Sequence, residues 1–176
     1  MLMVGRLAAG QAGGMPYVLS SPGQKSLRIG RRSLPGHAYF LTFVAQRRKP
    51  FFGDWAPGAA MSRHVSNPEH WPCSRLMAWV LMPDHWHGLV VLETHGDLAK
   101  VVGHAKGVTA AKFNRDTGRS GALWARGFHD RAVRSEEGLR EAARYLVANP
   151  LRAGLVGQIG DYPFWDAAWL TDDTPL

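Results

Sequence analysis

A chain of 176 residues, 45% hydrophobic and 20% charged, is long enough for one folded domain and too hydrophobic to be a disordered chain. It has no apolar run of the roughly 20 residues that a membrane span requires, and the single cysteine, Cys73, excludes an internal disulfide. We therefore expect a cytoplasmic protein in a reducing compartment.

The charge of the chain is unevenly distributed. The formal net charge is +7, but residues 161–176 contain four Asp and no Lys or Arg, so residues 1–160 carry +11. A basic surface of this size attracts polyanions, and nucleic acid is the commonest polyanion in a cell. A soluble basic protein without such a partner is the alternative that charge alone leaves open.

Three segments differ in composition. Residues 1–32 are rich in Gly, Ser and Pro, contain no acid and have no sustained hydrophobic period, which predicts a basic, flexible N-terminal extension. Residues 33–170 should form the folded domain, and residues 171–176 an acidic tail.

The first half of the domain predicts three strands and a short helix. Residues 37–46 are dense in aromatic and β-branched side chains and predict a strand. Residues 56–70 predict a weak, short helix, since Gly58 and Pro68 limit its length. Two apolar runs in residues 75–93 flank Met-Pro-Asp and predict an antiparallel hairpin.

The second half predicts two longer helices around a fourth strand. Asp97 is a plausible N-cap for a helix with apolar residues at helical spacing, and residues 116–122 read as a loop. Residues 124–134 predict a strand with alternating basic residues. Ser135 then caps an amphipathic helix that should stop at Asn149, because the residue before Pro150 is disfavoured in helical conformation. The order β, α, β, β, α, β, α predicts an α+β fold, an antiparallel sheet covered by helices in a ferredoxin-like or RRM-like arrangement.

The hairpin contains the sequence PDHWHG, which places His85 and His87 two residues apart. On a strand, both imidazoles project from the same face, about 7 Å apart along the backbone. They could bind one metal ion together, but an HxH pair would arise by chance in about a third of sequences with this histidine content. The spacing alone therefore leaves a structural histidine pair as the more common explanation.

The last predicted helix adds two polar candidates at the edge of its apolar stripe. Tyr145 and Asn149 lie one turn apart on one flank. A tyrosine hydroxyl can attack phosphorus, and an asparagine carbonyl oxygen is a hard ligand that could complete a His, His, Asn site for a divalent ion. A tyrosine at the edge of the core and an asparagine that ends its helix remain the simpler reading of this spacing.

Other catalytic patterns are absent from the sequence. It contains no GxSxG nucleophile elbow, and neither GxxxxGK[ST] nor GxGxxG occurs. These absences argue against a serine hydrolase, a P-loop nucleotide hydrolase and a Rossmann-type cofactor enzyme.

Three stretches together resemble the bacterial REP-associated tyrosine transposases, which are relatives of the single-tyrosine HUH transposases. They are AWVLMPDHWHGLVVL, GALWARGFHDRAVRSEEGLREAARYLVANPLRAGLV and GDYPFWDAAWL, and the resemblance extends from about Ser33 to Leu170. It implies an HUH nuclease fold in which His85 and His87 bind Mg²⁺ or Mn²⁺. It also implies that Tyr145 is the nucleophile and Asn149 the third metal ligand.

The resemblance implies a reaction as well. Tyr145 would attack a phosphodiester of single-stranded DNA, form a 5′-phosphotyrosine and release a 3′-hydroxyl, and strand transfer or religation would reverse the step. The substrate would be a repetitive extragenic palindrome (REP), a hairpin with a single-stranded guide at its foot. Such an enzyme would be bacterial and nucleoid-associated, and either a monomer or a homodimer. Residues expected to contact the DNA, Trp124 as an exposed stacking aromatic and the others through phosphates, are Lys106, Lys112, Arg115, Arg119, Trp124, Arg126, Arg131 and Arg134.

Two other functions stay open at this point. One is a catalytically inactive protein that binds DNA hairpins, although an inactive protein has no need to keep two histidines and a tyrosine together. The other is a small RNA-binding domain, favoured by the RRM-like topology and the positive charge but lacking the aromatic strand motif of that class.

Overall fold

The computed structural model describes residues 34–168, so the predicted N-terminal extension and acidic tail lie outside the described residues. Within that range it contains five strands and four α-helices. They are β1 (Ala38–Val44), α1 (Trp55–Val65), β2 (Ser74–Met82), β3 (His85–Leu92), α2 (Leu98–Thr117), β4 (His129–Val133), α3 (Glu136–Val147), α4 (Asn149–Arg152) and β5 (Trp165–Ala167). None of the described helices is both long and apolar enough to span a bilayer.

The strands form one sheet in the order β4-β1-β3-β2-β5, and every neighbouring pair is antiparallel. The predicted α+β class with an antiparallel sheet is therefore confirmed. β3 lies at the centre, because it pairs with β1 on one side and β2 on the other. The position of β3 matters for the site, since it carries both candidate histidines.

One face of the sheet is an aromatic core. Trp86 is fully buried, and its ring lies 4.7 Å from that of Phe43 and 5.2 Å from that of Trp71, measured between centroids. Phe43 also contacts Trp124 at 5.8 Å, edge to face. Aromatic pairs at these separations add to the hydrophobic stabilisation of a core.

Gly88 makes room for this core. A Cβ atom built on Gly88 would lie 2.0 Å from Cη2 of Trp86, because the indole lies along the strand over the glycine. No side chain larger than hydrogen fits at this position unless Trp86 moves. The glycine of the HWHG sequence is therefore explained by packing.

The opposite face of the sheet is covered by α3. Ser135 caps this helix, since its Oγ accepts a hydrogen bond from the backbone N–H of Gly138 at 3.0 Å, and the predicted apolar stripe is buried at Ala142, Ala143 and Leu146. The helix ends at Val147, and a separate short turn, α4, begins at Asn149. The predicted stop at Asn149 is therefore wrong by two residues, and Asn149 is itself helical although it precedes Pro150.

Two predicted boundaries need correction, and one strand was not predicted. The fourth strand covers residues 129–133 only, whereas 124–134 was predicted, because Trp124 makes an isolated bridge with Ala45 in place of a continuous ladder. α2 extends to Thr117, two residues into the predicted loop, and ends at Gly118 with φ of 66°. β5 was not predicted, since a three-residue strand has no hydrophobic period that could reveal it.

Candidate active site

His85 and His87 lie side by side on the face of β3 opposite to Trp86. Their ring centroids are 4.6 Å apart and the ring planes are nearly perpendicular, at 81°. Both residues are half-buried. This geometry brings the two imidazoles close enough to bind one ion.

Each imidazole is held by a hydrogen bond at Nδ1. The Nδ1 atom of His85 is 2.5 Å from Oδ1 of Asp84, and the Nδ1 atom of His87 is 2.8 Å from Oγ1 of Thr42. A histidine that is fixed through one nitrogen presents the other to a metal ion in a defined direction. Nε2 is therefore the candidate ligand atom of both residues.

The electrostatics of the pair favour neutral imidazole at His87. Burial lowers the pKa of His87 to about 3, and its electrostatic interaction with the neighbouring His85 adds to this effect. Burial raises the pKa of Asp84, but its hydrogen bond with His85 and the guanidinium of Arg48 outweigh burial and lower the pKa overall. An ionised carboxylate next to one histidine and a neutral imidazole at the other suit cation binding.

Tyr145 on α3 faces the same region. Its ring lies 6.2 Å from the ring of Phe40, which in turn lies 5.4 Å from the ring of His87. The guanidinium of Arg152, on α4, is 4.1 Å from the centroid of the tyrosine ring. Phe40 therefore links the predicted nucleophile to the predicted metal ligands, although they are 58 to 60 residues apart in the sequence.

Asn149 is fixed at the end of α3. Its Nδ2 donates hydrogen bonds to the carbonyl oxygens of Tyr145 at 3.1 Å and of Leu146 at 3.0 Å. These bonds supply donors to carbonyl groups at the end of the helix, where intrahelical donors are missing. The orientation of the amide is thus set by the helix, and its carbonyl oxygen is the atom that could serve a cation.

The candidate metal ligands on the protein fill only part of the coordination shell of a divalent ion. Between residues 34 and 168, no group of three or more His, Cys, Asp and Glu side chains could hold a metal. Two imidazoles suit first-row divalent ions, and an amide oxygen, water or phosphate can supply the remaining hard ligands for Mn²⁺ or Mg²⁺. The residues fit such an ion only with oxygen ligands added to the histidine pair.

The predicted DNA-binding cations have different surroundings. Arg119 is half-buried, with its guanidinium 3.9 Å from the ring centroid of Phe51. Lys106 is engaged inside the protein, since its ammonium donates to the carbonyl oxygens of Ala125 at 2.7 Å and of Gly127. The structure therefore does not support the predicted contact between Lys106 and a DNA phosphate. Half-buried Lys112 and four exposed arginines remain, namely Arg115, Arg126, Arg131 and Arg134.

The expectation that Trp124 is exposed is wrong. The side chain belongs to the core with only 7% of its surface exposed, and it contacts Phe43 and Phe52. Its Nε1 donates to Oγ1 of Thr109 at 3.1 Å. The bridge to Ala45 fixes the backbone with the indole directed inwards, and a sequence pattern cannot reveal such a tertiary contact.

The sequence reading missed the residues that support the site. Thr42 and Asp84 hold the histidines, and the signal for Asp84 was its place directly before the pair. Arg47 and Arg48 follow the predicted first strand and have φ of 57° and 50°. Left-handed backbone costs a non-glycine residue about 1–2 kcal/mol, and such residues often lie at functional sites.

Comparisons with known proteins bear on this geometry. The family model described as "Transposase IS200 like" matches residues 33–149. A predicted REP-associated tyrosine transposase of Haemophilus influenzae is 26% identical over 140 residues, covering 73% of this chain and 78% of the relative. The REP-associated tyrosine transposase of Escherichia coli K12 is 27% identical over 95 residues, covering 49% of this chain and 50% of that protein.

A solved structure agrees with these sequence matches. It is the REP-associated tyrosine transposase bound to a REP hairpin, with a TM-score of 0.62, 25% identity, and coverage of 77% of this chain and 79% of that chain. The resemblance inferred from the sequence is thereby confirmed. Because the family model matches more than half of its residues, the protein belongs to the IS200-like transposase family and is a relative of the REP-associated tyrosine transposases.

Proposed function

We propose that this protein nicks and rejoins single-stranded DNA by metal-dependent transesterification through Tyr145, acting on REP hairpins. The observation that carries the proposal is the convergence of His85, His87 and Tyr145 on one face of the sheet, linked by the ring of Phe40. The family membership makes a transposase the class of enzyme to consider. The cleavage chemistry and the residue roles are our assignment.

The proposed reaction exchanges one phosphoester for another. The Tyr145 hydroxyl loses its proton and attacks the phosphorus, the P–O3′ bond breaks, and the departing 3′ oxygen takes up a proton. The phosphate keeps its bond to the 5′ oxygen of the downstream strand and becomes esterified to the tyrosine. In the reverse step a 3′-hydroxyl attacks the phosphotyrosine, so the bond energy is conserved and no nucleotide is needed.

In this proposal His85 and His87 would hold Mg²⁺ or Mn²⁺ through Nε2, and the carbonyl oxygen of Asn149 would be a third ligand. When bound, the ion supplies positive charge that polarises the scissile phosphate. The chain's own contribution is to fix the direction of the two imidazoles through Asp84 and Thr42 and to bring the tyrosine onto the same face.

The substrate assignment rests on a relative. The matched structure holds a REP hairpin, and we extend that ligand to this chain because its charge up to residue 160 is +11. A hairpin with a single-stranded flank would be recognised by shape and unstacked bases more than by a helix in a groove. The proposed phosphate contacts are Lys112, Arg115, Arg119, Arg126, Arg131 and Arg134, within a transposase domain of residues 33–170.

Covalent trapping tests the proposal. The full chain is incubated with a labelled REP hairpin carrying single-stranded flanks and Mn²⁺, and adducts are separated on a denaturing gel. The control variant is Tyr39→Phe, which lies on the opposite sheet face and loses only a hydroxyl that accepts a bond from the N–H of Leu34. We expect an adduct with wild type and Tyr39→Phe, and none with Tyr145→Phe.

The other outcomes are equally informative. An adduct of equal yield with Tyr145→Phe would contradict the nucleophile assignment. Tight hairpin binding by wild type without any adduct in Mn²⁺ or Mg²⁺ would favour a catalytically inactive hairpin-binding protein.

A further inference from the structure

The turn that follows β1 carries three consecutive exposed cations, Arg47, Arg48 and Lys49, which we call the basic turn. The first two have left-handed backbone conformation, with φ of 57° and 50°. Only a few per cent of non-glycine residues adopt this conformation, and strained backbone is retained where the surrounding structure imposes it.

Main-chain hydrogen bonds impose the conformation of the turn. The N–H of Ala45 donates to the carbonyl of Asp84 at 2.8 Å, and the N–H of Gln46 donates to that of Leu123 at 2.7 Å. The N–H of Arg48 donates back to the carbonyl of Ala45 at 2.9 Å. The three cations are therefore displayed from a rigid support, which lowers the entropic cost of binding a ligand there.

The basic turn lies next to the candidate metal site. Nη1 of Arg48 is 3.1 Å from Oδ2 of Asp84, and the other oxygen of the same carboxylate is 2.5 Å from Nδ1 of His85. One carboxylate thus separates the turn from a candidate metal ligand. A DNA strand with its scissile phosphate at the histidines would pass close to the turn.

The local charge balance favours an anion. Within residues 34–168, Asp84 is the only acid in an ion pair with the basic turn, and Arg47 and Lys49 have no acidic partner. Arg119 adds a fourth cation nearby, because its guanidinium stacks on Phe51, whose N–H donates to the carbonyl of Lys49 at 2.8 Å. Of these four positive side chains, only Arg48 pairs with the carboxylate of Asp84, which also accepts a hydrogen bond from His85.

We infer that the basic turn is a phosphate-binding site for the DNA strand beside the scissile position, an inference that rests on the proposed function. Arg47 and Lys49 bind a backbone phosphate. Arg48 stays on Asp84 and acts as a positioning residue that fixes the turn relative to the metal site. The ligand is a phosphodiester of the single-stranded flank, since the histidine pair requires unpaired DNA in the proposed reaction.

Affinity measurements on a non-cleaving background test this inference. Tyr145→Phe protein is combined with Arg47→Asn and Lys49→Gln, where asparagine is chosen because it tolerates left-handed backbone. The control combines Arg63→Gln and Arg75→Gln, two exposed arginines on α1 and at the start of β2, and removes the same charge. Fluorescence anisotropy gives the Kd for a REP hairpin with a labelled single-stranded flank at several salt concentrations.

We expect the basic-turn variant to bind about tenfold more weakly at 0.15 M salt, with a salt slope smaller by about 0.7, the value for one phosphate of single-stranded DNA that is no longer neutralised. The control should change the Kd less than twofold. Equal weakening of both double variants would reduce the effect to net charge and overturn the inference. If the Tyr145→Phe protein itself does not bind the hairpin, the proposed function fails and the inference fails with it.

The phosphate itself can be located with modified DNA. Neutral methylphosphonates are placed one at a time along the single-stranded flank. One position near the cleavage site should weaken binding by the Tyr145→Phe protein and have no further effect on the basic-turn variant. Additive losses at every position would show that the turn contacts no particular phosphate.

Discussion

The two faces of β3 are built from alternate residues of one eight-residue strand, yet they have opposite characters. One face presents Trp86 to an aromatic core that is closed to solvent, and the other presents His85 and His87 to a half-open surface. The buried face contributes to stability, whereas the histidine face carries the proposed chemistry.

The difference between the two faces explains how a half-exposed site can be rigid. The backbone of β3 pairs with β1 and β2, and the side chain of Trp86 packs into the core on the opposite face. The Cα positions of the two histidines are therefore fixed by contacts outside the candidate site. Only the ring directions are left to be set, and Thr42 and Asp84 set them. Substitutions on the two faces should therefore affect different measurements.

The largest effect is expected on the histidine face. Replacing His85 and His87 together by Ala should lower DNA cleavage by about 10³-fold, because the ligands of a charge-stabilising ion are lost. Hairpin affinity and the free energy of unfolding should change little. Gel cleavage assays and urea denaturation check this, and loss of folding would show that the histidines are structural.

The second effect should appear on the core face. Trp124→Ala should lower the free energy of unfolding by about 3–5 kcal/mol, since it removes a buried indole and its bond to Thr109. Chemical denaturation measures the change. A stable variant with a selective loss of affinity for single-stranded DNA would instead support the original expectation of an exposed stacking residue.

A smaller loss is expected at Gly88. The change Gly88→Ala forces Trp86 aside and should cost about 1–3 kcal/mol of stability. The matched variant Gly103→Ala, on α2, meets no atom within 4 Å and should be neutral or stabilising. Thermal and urea unfolding of the two variants compare them directly, and equal effects would contradict the packing explanation.

The effect that is smallest near neutral pH concerns His87. Its pKa is about 3 in the folded protein and 6.5 in the unfolded chain, so between these values only the unfolded chain binds the proton. In EDTA, the free energy of unfolding should be highest above pH 6.5 and fall as the pH drops towards 3, by at most about 1.4 kcal/mol per unit. Denaturation across this range should show a flatter dependence for His87→Gln, and identical slopes would refute the assignment.

Local sequence patterns correctly predicted the structural features that depend on a single helix or strand. The alternation of β3, the apolar stripe of α3 and the Ser135 cap all appear in the structure as the sequence indicates. The convergence of Tyr145 with the histidine pair was implied by the family resemblance and not by the local spacing of these residues. The role of each of these residues stays a prediction until cleavage is measured.

The failures of sequence reading have a common cause. Trp124 and Lys106 look like surface residues in a basic segment, but a bridge to Ala45 and two carbonyl acceptors draw them into the structure. β5 is ordered by its pairing with β2 and not by a pattern of its own. Each of these outcomes depends on a partner distant in the chain, which a local pattern does not contain.

The register of β3 also restricts how this sequence can vary. Because side chains alternate between the faces, inserting one residue between His85 and His87 would place their imidazoles on opposite faces of the sheet. Inserting one residue after His87 would move Gly88 from beneath the indole. Length changes in related chains should therefore be confined to the loops, and β3 should diverge by substitution alone.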